Sequence, residues 1–358
     1  MSIFLSVIST TGIALLSGII LTRVILALSH KFHWYDDIDH RKIHTGDMPH
    51  IGGIGIFLGF SIGLIAYRLL ARHINADTLL PFSRLIPFFS TYLVIHLTGI
   101  IDDFANLKAR YKFIVQIILA VVLCATAGTI RSVSFPGVDA VINLGPFSFI
   151  ITTIWLVGVC NALNFIDGID GLAGGTAGIA AIFFAAVSFL QGQTTTAIFS
   201  LALFGGIVGF LAYNKPPAKI IMGDSGSLFL GFVLASLPLL ESTERVGLVQ
   251  VLVPISLLLV PIFDTFASII RRTRRGKAFY IADKLHTHHK LLDLGLSQPK
   301  VLMVIYSLCL LPSGAVLAWV AIDSSYLIWL VVAAWISCAA FFVYLDRVYY
   351  RRHQIPEA

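Results

Sequence analysis

Residues 147–172 read FSFIITTIWLVGVCNALNFIDGIDGL. The first part, 147–163, is an almost unbroken apolar run, and the remainder carries two carboxylates beside two glycines. A helix of about 17–25 apolar residues is long enough to cross a hydrocarbon layer roughly 30 Å thick. This stretch therefore predicts a membrane helix that ends in a polar loop.

The same alternation of apolar runs and polar loops continues along the whole chain. Apolar residues make up 57% of the 358 residues and charged residues 12%, against roughly 45–50% and about 25% in soluble domains. We predict an all-α polytopic membrane protein with a single transmembrane domain over residues 1–358. The expected helices, about eleven in number, lie near 3–28, 51–70, 85–101, 113–127, 147–163, 172–190, 195–212, 226–240, 246–270, 301–321 and 326–345.

The charged residues predict an orientation. Lysine and arginine accumulate in cytoplasmic loops, and 19 of the 25 fall on one set of alternate segments. This places the N-terminus outside and the C-terminus in the cytoplasm. The same segments hold 14 of the 19 acidic residues, an excess that the positive-inside rule does not require. A metal or phosphate site in the cytoplasmic loops would account for it, and no nucleic-acid partner is expected.

The second cytoplasmic loop begins with two adjacent carboxylates, Asp102 and Asp103, at the end of an apolar helix. Adjacent carboxylates at a membrane boundary repel each other and are costly to desolvate, so they favour a bound cation. Mg²⁺ prefers one or two carboxylates together with water and substrate phosphates. The alternative is a solvated helix end without a ligand.

The third loop carries polar residues at every third position. They are Asn161, Asn164, Asp167 and Asp170. Gly168 and Gly171 indicate that the helix breaks there, which lets side chains and backbone converge on a ligand. Such a group can recognise a nucleotide base and coordinate near its phosphates, whereas a plain connecting loop would not need four such side chains.

The fourth loop places Asp224 between two glycines, directly before another predicted helix. Glycine allows close approach of the backbone to a ligand, and a helix N-terminus attracts phosphate. The alternative interpretation is that Asp224 or Ser225 caps the helix.

The longest loop contains an arginine run and a histidine cluster. Arg271 and Arg272 begin the run, for which the alternative role is a topology anchor beside anionic lipid headgroups. His286, His288 and His289 form the cluster. Zinc is the obvious rival ligand, but no cysteine or His-Glu helix motif accompanies them, so we expect the imidazoles to meet a pyrophosphate.

The first cytoplasmic loop adds Arg41, Lys42 and His44 and closes with a pair of glycines at 52 and 53. The cations are suited to phosphates. His50, near its end, is interpreted as an ordinary interfacial histidine.

Together these loops resemble the polyprenyl-phosphate N-acetylhexosamine-1-phosphate transferases. The resemblance spans residues 36–289 and rests on five motifs in the family's order. They are Arg41-Lys42-x-His44 with Pro49 and Gly52-Gly53, Asp102-Asp103, Asn161-x-x-Asn164-x-x-Asp167-Gly-x-Asp170-Gly, Met222-Gly-Asp224-x-Gly-Ser227, and Arg271-Arg272 followed by Asp283-Lys284-x-His286-x-His288-His289. One departure is Asp36-Asp37-Ile38, where the family often has Asp-x-Pro, and this removes no reactive group.

The resemblance implies that a UDP-sugar and polyprenyl phosphate, here undecaprenyl phosphate, react to give polyprenyl-diphosphate-sugar and UMP. It also implies that the reaction depends on Mg²⁺, with Mn²⁺ as a substitute. The protein is then expected in the inner membrane of a bacterium, in contact with membrane lipids, and a homodimer is compatible with the resemblance. The His-x-His-His form is similar to the UDP-N-acetylglucosamine branch. The alternative is the phospho-MurNAc-pentapeptide translocase, which usually has three consecutive histidines. From other classes, a transporter would place its acids near the midplane, and a lipid-binding protein would not need these motifs together.

The resemblance and the phosphoryl chemistry together assign roles. Mg²⁺ is expected at Asp103 and Asp224, and Asp102 is expected to orient or deprotonate the lipid phosphate. The predicted catalytic residues are Asp102, Asp103, Asp167, Asp170 and His288. The predicted substrate-binding residues are Arg41, Lys42, His44, Asn161, Asn164, Arg271, Arg272, His286 and His289. Direct attack by the lipid phosphate and a covalent aspartyl-phosphate route both remain open.

Overall fold

A computed structural model describes residues 2–35, 48–73, 79–134, 141–241, 248–274 and 285–353. Over these residues the chain is almost entirely helical, which confirms the all-α prediction. The helices are α1 Ser2–Phe32, α2 Gly53–His73, α3 Phe82–Ala105, α4 Ala109–Ala127, α5 Phe147–Ile166, α6 Leu172–Leu190, α7 Thr194–Asn214, α8 Asp224–Leu240, α9 Leu248–Leu257, α10 Leu259–Arg274, α11 Thr287–Asp293, α12 Gln298–Ile322 and α13 Ile328–His353.

Nine helices within the described ranges are long and apolar enough to cross a membrane. The pair α9 and α10 passes the same test jointly, and α8 is a shorter apolar helix. Each of the eleven predicted segments therefore coincides with one helix or with this pair. The number of crossings and the orientation in the membrane stay predictions.

One predicted helix, 246–270, is wrong in detail because it is two helices. The axes of α9 and α10 differ by 76° at a break around Leu258. Pro261 has no N–H for the carbonyl oxygen of Leu257, so the helical hydrogen-bond ladder is interrupted at this turn. The sequence also gave no indication of the antiparallel hairpin formed by β1 (Ser132–Ser134) and β2 (Val141–Asn143).

The centre of the bundle is formed by α7 and α8, whose side chains are mostly buried. Peripheral helices instead expose large apolar side chains, including Leu16 of α1, Ile118 of α4 and Ile336 of α13. An exposed apolar surface of this extent is expected where a protein faces lipid. The bundle thus has a protein-packed centre and a lipid-facing rim.

Close helix packing brings the ends of α3 and α8 together. A Cβ on Gly99 of α3 would overlap the carbonyl oxygen of Asp224 and the Cα of Ser225, so only glycine allows this approach. Segment 49–53, which leads into α2, pairs with segment 221–222 before α8. The ends of α3, α5, α7 and α10 and the beginnings of α4, α6, α8 and α11 consequently meet at one end of the bundle.

The short helix α11 is held at this end by α13. The Lys290 ammonium donates to the Asp346 carboxylate, and Lys290 is only 1% exposed. The Tyr349 hydroxyl donates to Asp293 Oδ2 at 3.1 Å. Burial lowers the pKa of Lys290, with Arg271 as the next cause. The C-terminal half of α13 is therefore attached to the segment that carries the histidines.

Candidate active site

The centre of the site is a lysine that bridges two aspartates. Lys112 Nζ lies 2.8 Å from Asp102 Oδ2 and 2.6 Å from Asp224 Oδ2. Asp102 lies in the last turn of α3, Lys112 lies in the first turn of α4 and Asp224 begins α8. The tight connection between α3 and α4, with Asn106 in the left-handed region at φ 47°, turns α4 back so that Lys112 faces Asp102. In the sequence, Lys112 is marked only by its positive charge in a predicted cytoplasmic loop.

The second aspartate of the pair has a different environment. Asp103 Oδ1 accepts the N–H of Asp224 at 2.7 Å, and its Oδ2 accepts the N–H of Ser225 at 3.1 Å. These are orphan donors in the first turn of α8. The alternative that Asp224 or Ser225 caps this helix is wrong, because neither side chain bonds to the helix start and Asp103 supplies the cap from α3.

Asn164 joins the aspartate cluster from the last turn of α5. Its Nδ2 donates to Asp224 Oδ1 at 3.1 Å and to Ser227 Oγ at 2.8 Å. Asn161, one turn earlier, donates instead to Gln116 Oε1 and to the carbonyl oxygen of Val157. Asn164 therefore belongs to the aspartate cluster, whereas the substrate contacts predicted for Asn164 and Asn161 stay predictions.

The helix break predicted at Gly168 and Gly171 is confirmed. Helix α5 ends at Ile166 and α6 begins at Leu172, with Gly171 left-handed at φ 79°. Asp170 Oδ2 accepts the N–H of Ala218 at 3.0 Å, which ties this turn to the segment before α8. Asp170 thus shapes the site through a backbone contact, and its predicted catalytic role is not tested by this geometry.

Asp167 lies within the field of several other carboxylates. Desolvation raises its pKa to about 8, and Asp224, Asp103 and Asp170 add to the rise. A carboxyl group with such a pKa holds a proton at neutral pH unless a cation or a donor approaches. Burial and the three neighbouring carboxylates therefore all disfavour a negative charge on Asp167.

The histidine cluster meets the same turn. His288, in the first turn of α11, is 1% exposed, and a Cβ on Gly168 would overlap its Nε2. Neither ring nitrogen of His288 has a hydrogen-bond partner among the described residues. Burial, and then the neighbouring His289, lowers the pKa of His288 to about 3. A neutral imidazole with two unused nitrogens is available for a polar ligand.

The other two histidines surround His288. The rings of His286 and His288 are nearly parallel with centroids 6.0 Å apart, and those of His288 and His289 are 4.2 Å apart. Helix α11 begins at Thr287, so His286 is its N-cap residue. His286 Nδ1 lies 2.6 Å from Asp264 Oδ2 of α10. The predicted cluster is therefore assembled, and Asp264 is a member that had been given no role.

The two arginines that begin the basic run are buried. Arg271 and Arg272 are 6% and 5% exposed, so the alternative of a headgroup anchor is wrong for them. Arg271 Nη2 donates to the carbonyl oxygen of Leu285 at 2.7 Å. The guanidinium of Arg272 lies 5.9 Å from the ring centroid of Phe165, which follows Asn164. Both arginines thus lie beside the histidine segment.

The first loop is only partly described. The predicted residues Arg41, Lys42 and His44 lie outside the described residues. His50, however, is buried, and its Nε2 is 2.7 Å from the carbonyl oxygen of Asp103. It is therefore a packed element of the site, and the interpretation as an ordinary interfacial histidine is wrong.

The aspartate cluster fits a divalent cation. Asp102 Oδ1 is buried and has no hydrogen-bond partner in the part of the chain that the structure describes. Lys112 already places one positive charge between Asp102 and Asp224. Two carboxylates with an unused oxygen suit Mg²⁺, which keeps its remaining ligands for water and phosphate. No group of three or more His, Cys, Asp or Glu side chains among the described residues is arranged for a protein-only metal site.

Comparison with known proteins agrees with this chemistry. The family model described as glycosyl transferase family 4 matches residues 85–241. A Bacillus subtilis protein named probable undecaprenyl-phosphate N-acetylglucosaminyl 1-phosphate transferase is 34% identical over 294 residues, covering 82% of this chain and 79% of its own. A Mycobacterium tuberculosis protein named decaprenyl-phosphate N-acetylglucosaminephosphotransferase is 34% identical, covering 74% and 70%. A Carboxydothermus hydrogenoformans phospho-N-acetylmuramoyl-pentapeptide-transferase is 32% identical, covering 74% and 82%.

Proposed function

The chain belongs to glycosyl transferase family 4, and from this premise we propose that it transfers N-acetylglucosamine 1-phosphate from UDP-N-acetylglucosamine to undecaprenyl phosphate. The products are undecaprenyl-diphosphate-N-acetylglucosamine and UMP, the first membrane step of a cell-surface glycan. The observation that carries the proposal is the Lys112 bridge between Asp102 and Asp224. Cations and carboxylates at one bundle end suit two phosphates that must be brought together.

The nucleophile in this proposal is the phosphate of the lipid. Its second pKa near 6 leaves it largely dianionic at neutral pH, so a strong base is not required. The main barrier is repulsion between the two phosphate groups, and catalysis is then positioning and charge neutralisation. Lys112 neutralises charge where the phosphates meet, and Asp102 orients the attacking oxygen.

Mg²⁺ is part of the proposal and would be held by Asp224 together with Asp102. Asp103 was the partner expected from the sequence, but both its oxygens accept N–H groups of α8, whereas Asp102 Oδ1 has no hydrogen-bond partner among the described residues. The role of Asp103 as a ligand therefore stays a prediction. When bound, Mg²⁺ supplies charge neutralisation to the diphosphate and to the departing UMP. Mn²⁺ is expected to substitute.

The donor is proposed to lie along the turn between α5 and α6. Asn164 and Asp167 face the uridine side, while Asp170 keeps the turn in shape through its bond to Ala218. His288, with two unused nitrogens beside Gly168, meets the donor diphosphate or sugar. The remaining predicted substrate contacts, including Arg41 and Lys42, are part of the same proposal.

The alternative donor is UDP-MurNAc-pentapeptide. The 32% identity to a phospho-N-acetylmuramoyl-pentapeptide-transferase favours keeping it in view. Against it stands the His286-x-His288-His289 pattern in place of three consecutive histidines.

The proposal also includes a location and an oligomeric form. The protein is proposed to lie in the inner membrane of a bacterium with its site on the cytoplasmic face, and a homodimer is compatible with the proposal.

The test is UMP release by the detergent-purified protein. Undecaprenyl phosphate is combined with UDP-N-acetylglucosamine, UDP-N-acetylgalactosamine or UDP-MurNAc-pentapeptide, each with and without EDTA. We expect release with the first donor, and no release after EDTA. Absence of UMP release with every donor, or UMP release unchanged by EDTA, would contradict the proposal. A stoichiometric burst of UMP without lipid would favour the covalent aspartyl-phosphate route over direct attack.

A further inference from the structure

Asp264 is a buried carboxylate with no part in the proposed chemistry. It lies on α10 and is 3% exposed. A buried carboxylate is costly unless several donors satisfy it. The identity of those donors therefore indicates what the residue does.

All the described donors to Asp264 come from the start of the histidine helix. Its Oδ2 lies 2.6 Å from His286 Nδ1. Its Oδ1 accepts the Thr287 N–H at 2.8 Å and the Thr287 hydroxyl at 2.6 Å. One carboxylate on α10 thus fixes two consecutive residues that lie more than twenty positions later in the chain.

The contact with His286 determines which ring nitrogen carries a proton. An ionised carboxylate can only accept, so His286 Nδ1 must donate to Asp264. In the neutral ring, Nε2 is then the acceptor and the nitrogen left for another partner. Asp264 consequently sets both the rotation and the tautomer of this imidazole.

The oriented His286 ring lies beside Phe165 and His288, at the end of the bundle where the donor is proposed to bind. The His286 centroid is 5.9 Å from that of Phe165, which follows Asn164 in α5, and 6.0 Å from that of His288. We infer that Asp264 is a positioning residue, which acts by presenting the unprotonated Nε2 of His286 as an acceptor to a hydroxyl or N–H group of the donor sugar. This inference rests on the proposed function, because it assumes that the donor occupies this end of the bundle.

The decisive variant is Asp264→Asn, which keeps the volume of the side chain. Its amide oxygen can still accept from Thr287, but its NH₂ group then faces His286 Nδ1 and forces the ring proton onto Nε2. We expect kcat to fall about 100-fold, in the range of a lost acid–base or orienting group, with little change in KM for UDP-N-acetylglucosamine. Unchanged kcat would overturn the inference.

A double-mutant cycle separates positioning from a purely structural role. His286→Ala removes the group through which Asp264 is inferred to act. In that background, Asp264→Asn should cause no further loss of activity. An equal loss in both backgrounds would mean that Asp264 acts on something other than His286 and would contradict the inference.

Thr287→Val is the matched control. It removes one hydroxyl donor to Asp264 but leaves the Thr287 N–H and the His286 contact, so activity should stay close to that of the unsubstituted protein. A loss as large as that of Asp264→Asn would mean that the helix start, and not the ring, is what matters. Inactivity of the unsubstituted protein with every donor would instead reject the proposed function itself. Elution volume and melting temperature in detergent check the folding of each variant.

Discussion

Gly168 lies against the imidazole of His288, with no room for a Cβ between the backbone and Nε2. The contact joins the turn between α5 and α6 to the histidine helix, although 120 residues of sequence separate them. Gly168 is not left-handed, so its backbone would accept an L side chain without strain. The nearest obstacle to a larger residue is therefore the His288 ring.

Gly168→Ala is expected to lower kcat about 100-fold, because displacement of a site group by about 1 Å has effects of that size. UMP release is the measurement. Gly158→Ala is the matched control, since a Cβ there meets nothing within 4 Å, and it should leave activity unchanged. In a His288→Ala background, Gly168→Ala should lower kcat little further. Full activity of Gly168→Ala would contradict the contact.

Lys112→Gln is expected to abolish most activity and to increase the response to Mg²⁺. Without the ammonium group, Asp102 and Asp224 lose their shared counter-ion, and a divalent cation gains affinity for them. A ligand that binds the folded state raises its stability. The melting temperature of the variant should therefore rise more on adding Mg²⁺ than that of the parent. Lys300→Gln, at an exposed position, should behave like the parent. Equal Mg²⁺ responses in all three proteins would contradict the shared site.

Asp103→Ala is expected to lower the free energy of unfolding by about 1–2 kcal/mol, the usual range for a lost N-terminal cap. Its two oxygens accept the first N–H groups of α8. Asp103→Asn retains one acceptor oxygen and should lose less stability than the alanine variant. Thermal unfolding in detergent measures both. Alanine and asparagine variants as stable as the parent would show that the cap contributes nothing.

His288→Gln is expected to make stability less dependent on pH. The folded-state pKa of His288 is about 3, against 6.5 for the free side chain. Between these values the unfolded chain binds a proton that the folded chain does not, so stability is present above pH 6.5 and decreases as the pH falls. From pH 7 to pH 5 the resulting decrease in the free energy of unfolding is about 2 kcal/mol. The melting temperature should fall less in the variant than in the parent. The exposed His353→Gln control should follow the parent, and identical slopes for all three would contradict the prediction.

Much of the architecture could be predicted because lipid imposes long apolar runs on the sequence. The eleven segments and the break at Gly171 follow from local composition. Lys112 and Asp264 could not be assigned in this way, because their partners lie on other helices and no local pattern marks a contact between helices. The cap that Asp103 provides to α8 was missed for the same reason. The bend near Leu258 was missed because Pro261, which interrupts the helical hydrogen bonds there, was included in one long apolar run.

The attachment of α11 to α13 has a consequence for how the protein is made. Lys290 and Asp293 on α11 bind Asp346 and Tyr349, which leave the ribosome only after the whole of α12. The turn carrying Gly168 and the aspartates are synthesised much earlier. Until α13 has entered the bilayer, the histidines lack these supports. In the nascent protein, Asp264 of α10 can therefore hold the start of α11 first, and the contacts with α13 can form only as the last helix is added.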